Sequence, residues 1–176
     1  CLLVGSNDVI TILMTLATHA LVGASLAQLF PEHPVVGFCV GFASHFFLDA
    51  IPHWDYKLAS SRQDIERPLE SDIVVGRDFY FDLLKIGTDA LLGLVLAFVF
   101  FPEFTFPAVL LTIAGAFGGI LPDALQFAYG LWKKAPLTWI QKVHESVHTS
   151  YRFKNNPVVG LMVQTVFIVL AVVVLV

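Results

Sequence analysis

The sequence predicts an all-α fold: a polytopic integral membrane bundle of about five transmembrane helices, with a duplicated two-helix hairpin at its centre. Three observations predict it. Hydrophobic residues make up 57% of the 176 residues, charged residues only 14%, and mean hydropathy is +0.78. One water-soluble core cannot enclose that much apolar surface. Several stretches also reach the roughly 20 apolar residues that cross a hydrocarbon core of about 30 Å. Finally, two stretches are variants of one another. The first runs Thr18-His19-Ala20-Leu21-Val22-Gly23, then Pro31-Glu32, then Ala50-Ile51-Pro52-His53. The second runs Thr88-Asp89-Ala90-Leu91-Leu92-Gly93, then Pro102-Glu103, then Ile120-Leu121-Pro122-Asp123. An offset of 70 residues holds at both ends, as a tandem duplication would give.

The elements follow in order, within a single membrane domain covering 1–176. The first span, about residues 9–30, ends at Pro31-Glu32-His33-Pro34. The second, about 35–52, carries Ser44, His45 and Asp49 and stops at Pro52, which lacks the backbone donor a continuing helix needs. Together they form a first repeat over about 9–55. Residues 56–77 are a linker too charged to enter the membrane. The third span, about 79–101, opens with Asp78, Asp82 and Lys85, the two acids being expected as solvated caps at the positive end of the helix dipole. The fourth, about 108–131, has Gly115, Gly118 and Gly119, small enough to admit a neighbouring helix closely. These two make a second repeat over about 78–131. An interfacial helix is expected over about 135–150, with Trp132 and Trp139 as anchors, and a last span over 157–176.

All ten Lys and Arg fall at 57–85 or 133–154, on or near two of the connections. The positive-inside rule places those connections in the cytoplasm. The expected localisation is therefore an integral membrane one, the bacterial inner membrane, with the charged loops cytoplasmic. Membrane lipid is the expected surrounding, and a larger membrane complex or a homo-oligomer the expected assembly. The opening at Cys1, without a methionine, reads as a fragment or a processed form. Cys1 and Cys39 belong to no CxxC pair, so neither a disulfide framework nor a thiolate zinc site is indicated. A net charge of -4 without a basic stripe excludes nucleic acid as a partner.

Polar residues in these spans carry the functional signal. The repeat places His19 opposite Asp89, and His53 opposite Asp123, at equivalent depths. His45, Asp49 and His53 recur every four residues and so share a helix face, with Asp55 just beyond. A carboxylate at the bilayer centre costs at least about 2.5 kcal/mol, and a bound cation would compensate it. His144-Glu145-Ser146-Val147-His148 is an HExxH pattern, in which two imidazoles one turn apart face one metal and the glutamate polarises a bound water. No Asp, Glu or His follows His148, so a further ligand must come from the repeats. Read as structure alone, His19 and His45 would be hydrogen-bonding residues between helices, and His144 and His148 part of a wet interfacial helix.

Thr18-His19 with Gly23, Pro122-Asp123 after a glycine-rich span, and a late histidine pair followed by Thr149-Ser150 resemble the YdjM-like predicted membrane-bound metal-dependent hydrolases. Where that family has His-Arg-Gly and four residues between its late histidines, this chain has Glu145 and three. Its Pro-Asp-x-Asp is divided here between Pro52-His53-Trp54-Asp55 and Pro122-Asp123. The resemblance implies a metal and a hydrolytic role without naming a substrate.

The expected activity is thus a metal-dependent membrane hydrolase acting at the cytoplasmic-side interface on a lipid or phosphoester. Its divalent metal, zinc foremost, is expected as one or two ions. His19, His53, Asp123, His144 and His148 are the first candidate ligands, Asp89, His45, Asp49 and Asp55 the second, and Glu145 the base. An intramembrane HExxH metallopeptidase is the alternative enzyme. A non-catalytic accessory subunit or a metal permease is the alternative outside catalysis. Outer halves of the spans that are apolar apart from Gln28 and Gln164 argue against a permeation path.

Overall fold

The computed structural model describes residues 16–54, 56–62, 68–147 and 156–175. They form six helices: α1 (Leu16–Ala27), α2 (Pro34–Asp49), α3 (Arg77–Phe100), α4 (Phe106–Leu131), α5 (Leu137–Val147) and α6 (Pro157–Leu175). Between α2 and α3 the linker holds two short strands, β1 (Ser61–Arg62) and β2 (Asp72–Ile73), paired antiparallel with Ser61 opposite Ile73. A single 3₁₀ turn, Pro68–Glu70, precedes β2. The all-α class holds. Span count does not follow so simply: among the described residues, only α3 and α4 are long and apolar enough to cross a membrane. The 16 residues of α2 fall short of the roughly 20 required, as does the apolar stretch Val158–Val173 of α6, while the described part of α1 runs 12 residues.

Helix α1 is the axis of the bundle. Every residue of it except Leu26 is buried, and it touches α2, α3, α4 and α6. A helix buried on all sides needs neighbours that come close, and its Ala17, Ala20, Gly23, Ala24 and Ala27 supply the room. Gly23 of α1 and Gly115 of α4 lie against one another, so a Cβ on either would strike the other's backbone. Gly119 lies against the His19 carbonyl, and Gly93 of α3 against Ala17. Ala20, Leu21, Ala24, Ala97, Ala116 and Val172 close the core beside them.

The outer faces are apolar. Leu91, Val95 and Val99 on α3, Phe106 and Phe117 on α4, and Met162, Val166 and Val173 on α6 are all exposed. A belt of that extent marks a surface that meets something other than water.

The charged linker is folded down onto the helix ends. Asp82, expected as a solvated cap, is buried, and its carboxylate accepts from the Ser60 backbone N–H at 2.7 Å and the Ser60 hydroxyl at 2.6 Å. Burial of an ion is tolerated there because those bonds satisfy it. Lys133 at the end of α4 pairs with Asp72 at 2.6 Å and donates to the Glu70 carbonyl at 2.8 Å, while the Tyr129 hydroxyl donates to the Leu69 carbonyl.

Close approach at the glycines gives a direct test by thermal unfolding in detergent. Gly119→Ala should destabilise by about 1–3 kcal/mol, because the new methyl meets backbone that cannot move aside. Gly87→Ala, whose Cβ would meet nothing within 4 Å, should be neutral or stabilising by up to about 1 kcal/mol.

Candidate metal centre

Helix α2 places His45 and Asp49 one turn apart on the same face. Helix α4 brings Asp123, α5 brings His144, α1 brings His19, and the segment just after α2 brings His53. The local sequence sets these positions. Pro122 lies inside α4 and has no N–H to give the Gly118 carbonyl, which loosens the turn next to Asp123. In that turn the Gly119 carbonyl lies 2.8 Å from His45 Nδ1 and accepts its proton. His45 Nε2 is thereby left pointing inward, as a backbone carbonyl commonly orients a metal-binding imidazole. His53 is arranged in the same way, with Nδ1 2.7 Å from the Ile51 carbonyl.

Four atoms converge at the centre. Asp49 Oδ2 lies 3.1 Å from His45 Nε2 and 3.0 Å from His144 Nε2, and the two histidine nitrogens are 3.1 Å apart. Asp123 Oδ1 is 3.6 Å from His45 Nε2 and 3.5 Å from His144 Nε2. Four ligands about 2.0–2.1 Å from one ion stand about 3.3 Å from each other when tetrahedral. The observed separations scatter around that value. His45, Asp49, Asp123 and His144 can therefore hold a metal ion.

Two further histidines reach the same carboxylate from its other oxygen. His19 Nε2 is 3.3 Å from Asp49 Oδ1, and His53 Nε2 is 3.9 Å from it. His19 also leans on His45, with ring centroids 4.2 Å apart. His45 and His144 are almost entirely enclosed, at 0% and 1% exposure, and Asp49 is at 3%. An enclosed carboxylate demands positive charge nearby. Burial opposes charging of the His144 ring, but its hydrogen bonds to Asp123 and Asp49 outweigh that and push its pKa up to about 10.

Other expected ligands are placed elsewhere. Asp89 stands apart, where its carboxylate accepts from the backbone N–H groups of Leu16 at 2.8 Å and Ala17 at 3.3 Å. From α3 it thus satisfies two buried backbone donors of α1. Glu145, the expected base, accepts from Gln141 Nε2 at 2.9 Å along α5 and is not one of the convergent groups. His148 and Asp55 lie outside the described residues, so the HExxH pattern is described only as far as Val147. Sequence reasoning assigned Gln164 to an outer half-span. Instead its Nε2 donates to the Trp54 carbonyl at 2.9 Å, next to His53. Its signal in the sequence was a single amide in an otherwise apolar helix.

No family model matches the chain, and no curated protein or solved structure shows a significant match to it.

The His144 proton leads to a pH prediction. Without metal, the folded chain keeps this proton up to about pH 10, whereas an unfolded histidine loses it near 6.5. Stabilisation from it is complete below about pH 6.5 and fades as pH rises towards 10. Thermal melts of chelator-treated protein should show the midpoint falling between pH 7 and 10, and His144→Gln should flatten that slope.

Proposed function

We propose that the chain is a metal-dependent hydrolase of the membrane, acting where its charged loops meet the lipid on a lipid or other phosphoester substrate. The observation that carries this reading is the convergence of His45 Nε2 and His144 Nε2, 3.1 Å apart, on Asp49 Oδ2 and Asp123 Oδ1 at 3.0–3.6 Å from each. Two imidazoles and two carboxylates suit a divalent ion of the zinc type, with zinc foremost. Such an ion lowers the pKa of a bound water and makes hydroxide available at neutral pH.

The membrane setting rests on composition and surface. Helices α3 and α4 are long enough to cross, and apolar side chains cover the outer faces of α3, α4 and α6. In the full reading the duplicated hairpins and the last helix all lie in the bilayer of a bacterial inner membrane. Shorter helices cross there only with help from flanking residues or local thinning. Lysine and arginine near the linker and α5 orient both towards the cytoplasm. An amphiphilic substrate entering sideways from the lipid suits a centre built at that level.

A second reading has its own observation. Four protein ligands around one ion are the mark of a structural site, whereas catalytic sites keep a position open. On that reading the chain is an accessory membrane subunit. The peptidase reading needs Glu145 beside the ion, and Glu145 is occupied with Gln141.

Two measurements test the proposal. Elemental analysis of the purified chain should find a transition metal, and both His144→Ala and Asp123→Ala should lose most of it. The loaded protein should release phosphate or alcohol from a long-chain phosphoester in mixed micelles, with at least about a hundredfold loss in Asp49→Ala. Retention of metal without any hydrolysis would favour the structural site.

A further inference from the structure

We propose that Asp49 bridges two divalent cations, the first held by Oδ2 with His45, His144 and Asp123, the second by Oδ1 with His19 and His53. This inference rests on the metal reading above and adds to it a second site and the charge of the ligand it takes.

The argument begins with the number of donors. One ion is already complete with His45, His144, Asp123 and Asp49 Oδ2. His19 Nε2 and His53 Nε2 are surplus to it, yet both approach the opposite oxygen, at 3.3 and 3.9 Å. A carboxylate that meets different imidazoles on each oxygen is built as a bridge. Metals joined that way stand about 3.5–4 Å apart, the spacing of hydrolytic two-metal sites.

Tautomers strengthen the case. His53 Nδ1 must donate to the Ile51 carbonyl at 2.7 Å, so a neutral His53 presents a lone pair from Nε2 to Asp49 Oδ1. Two electron-rich atoms face each other across 3.9 Å, and a cation between them turns repulsion into coordination. Helix α6 grips the segment carrying His53, with Gly160 against Trp54 and Gln164 Nε2 donating to the Trp54 carbonyl.

The second site has an open side. A cleft lies between α1, the end of α2 and α6, lined by Thr18, His19, His53, Gln164 and Phe167 among others. Two buried polar atoms of that lining, His19 Nδ1 and Gln164 Oε1, have no hydrogen-bond partner among the described residues. A ligand carrying both an acceptor and a donor would satisfy them. Two divalent ions bring four positive charges, and Asp49 with Asp123 returns only two negative ones. Uncompensated charge of that size is not tolerated at such burial. Hydroxide, with a small oxyanion such as phosphate at the mouth of the cleft, would restore the balance.

The test uses the full chain in detergent, stripped with a chelator and reloaded with Mn(II). Two ions per chain are expected, with the exchange-coupled electron paramagnetic resonance spectrum of a close pair, altered on adding inorganic phosphate. His53→Ala should keep one ion and show the spectrum of an isolated Mn(II). One ion per chain in the unaltered protein, or two without exchange coupling, overturns the bridge while leaving the single-metal reading intact. No bound ion at all overturns both. Coupling that survives in His53→Ala and His19→Ala alike overturns the assignment of the second site.

Discussion

Much of this structure is arranged around one buried carboxylate. Asp49 is almost fully enclosed and is approached by His19, His45, His53 and His144, which come from three helices and a loop. An isolated carboxylate in such a place would be protonated or would drag water in with it. Here it is matched instead by nitrogen on every side, and those contacts tie α1, α2 and α5 to a common point.

The close helix packing exists to allow that meeting. His19 reaches Asp49 only because α1 lies deep between α2 and α4, and that depth depends on Gly23, Gly115 and Gly119 having no side chain. Where lipid surrounds the helices, the gain from hiding apolar groups is small and packing at small residues must hold them together. Pro122 adds a local departure from regular helix at the place where Gly119 serves His45 and Asp123 serves the centre. Scaffold and site are therefore specified by the same few residues of α4.

Much of the architecture was legible before any coordinates. Apolar runs, prolines and the charged linker placed α2, α3, α4 and α6 to within a few residues, and the four-residue recurrence of His45, Asp49 and His53 identified the face that carries the centre. Asp123 and His144 were legible from Pro-Asp and from the His-Glu pair. Asp89 was misread because a duplication preserves position along a helix but not what the helix meets. His19 on α1 turns to α2, whereas its counterpart on α3 turns to the backbone amides of Leu16 and Ala17. Asp49 was ranked too low because it has no counterpart in the second copy. Asp82 was misread because a charge at a helix start is usually solvated, and nothing in the sequence shows that Ser60 folds back over it.

The order of these residues along the chain bears on how the protein is made. His19, His45, Asp49 and His53 must wait for Asp123 and then His144, which the ribosome adds 70 and 91 residues after His53. Until then the early hairpin carries Asp49 with its neutralising partners incomplete, and nascent chains are handed on with the centre unfinished. A truncation before α5 would leave Asp49 without His144, whose Nε2 lies 3.0 Å from its Oδ2.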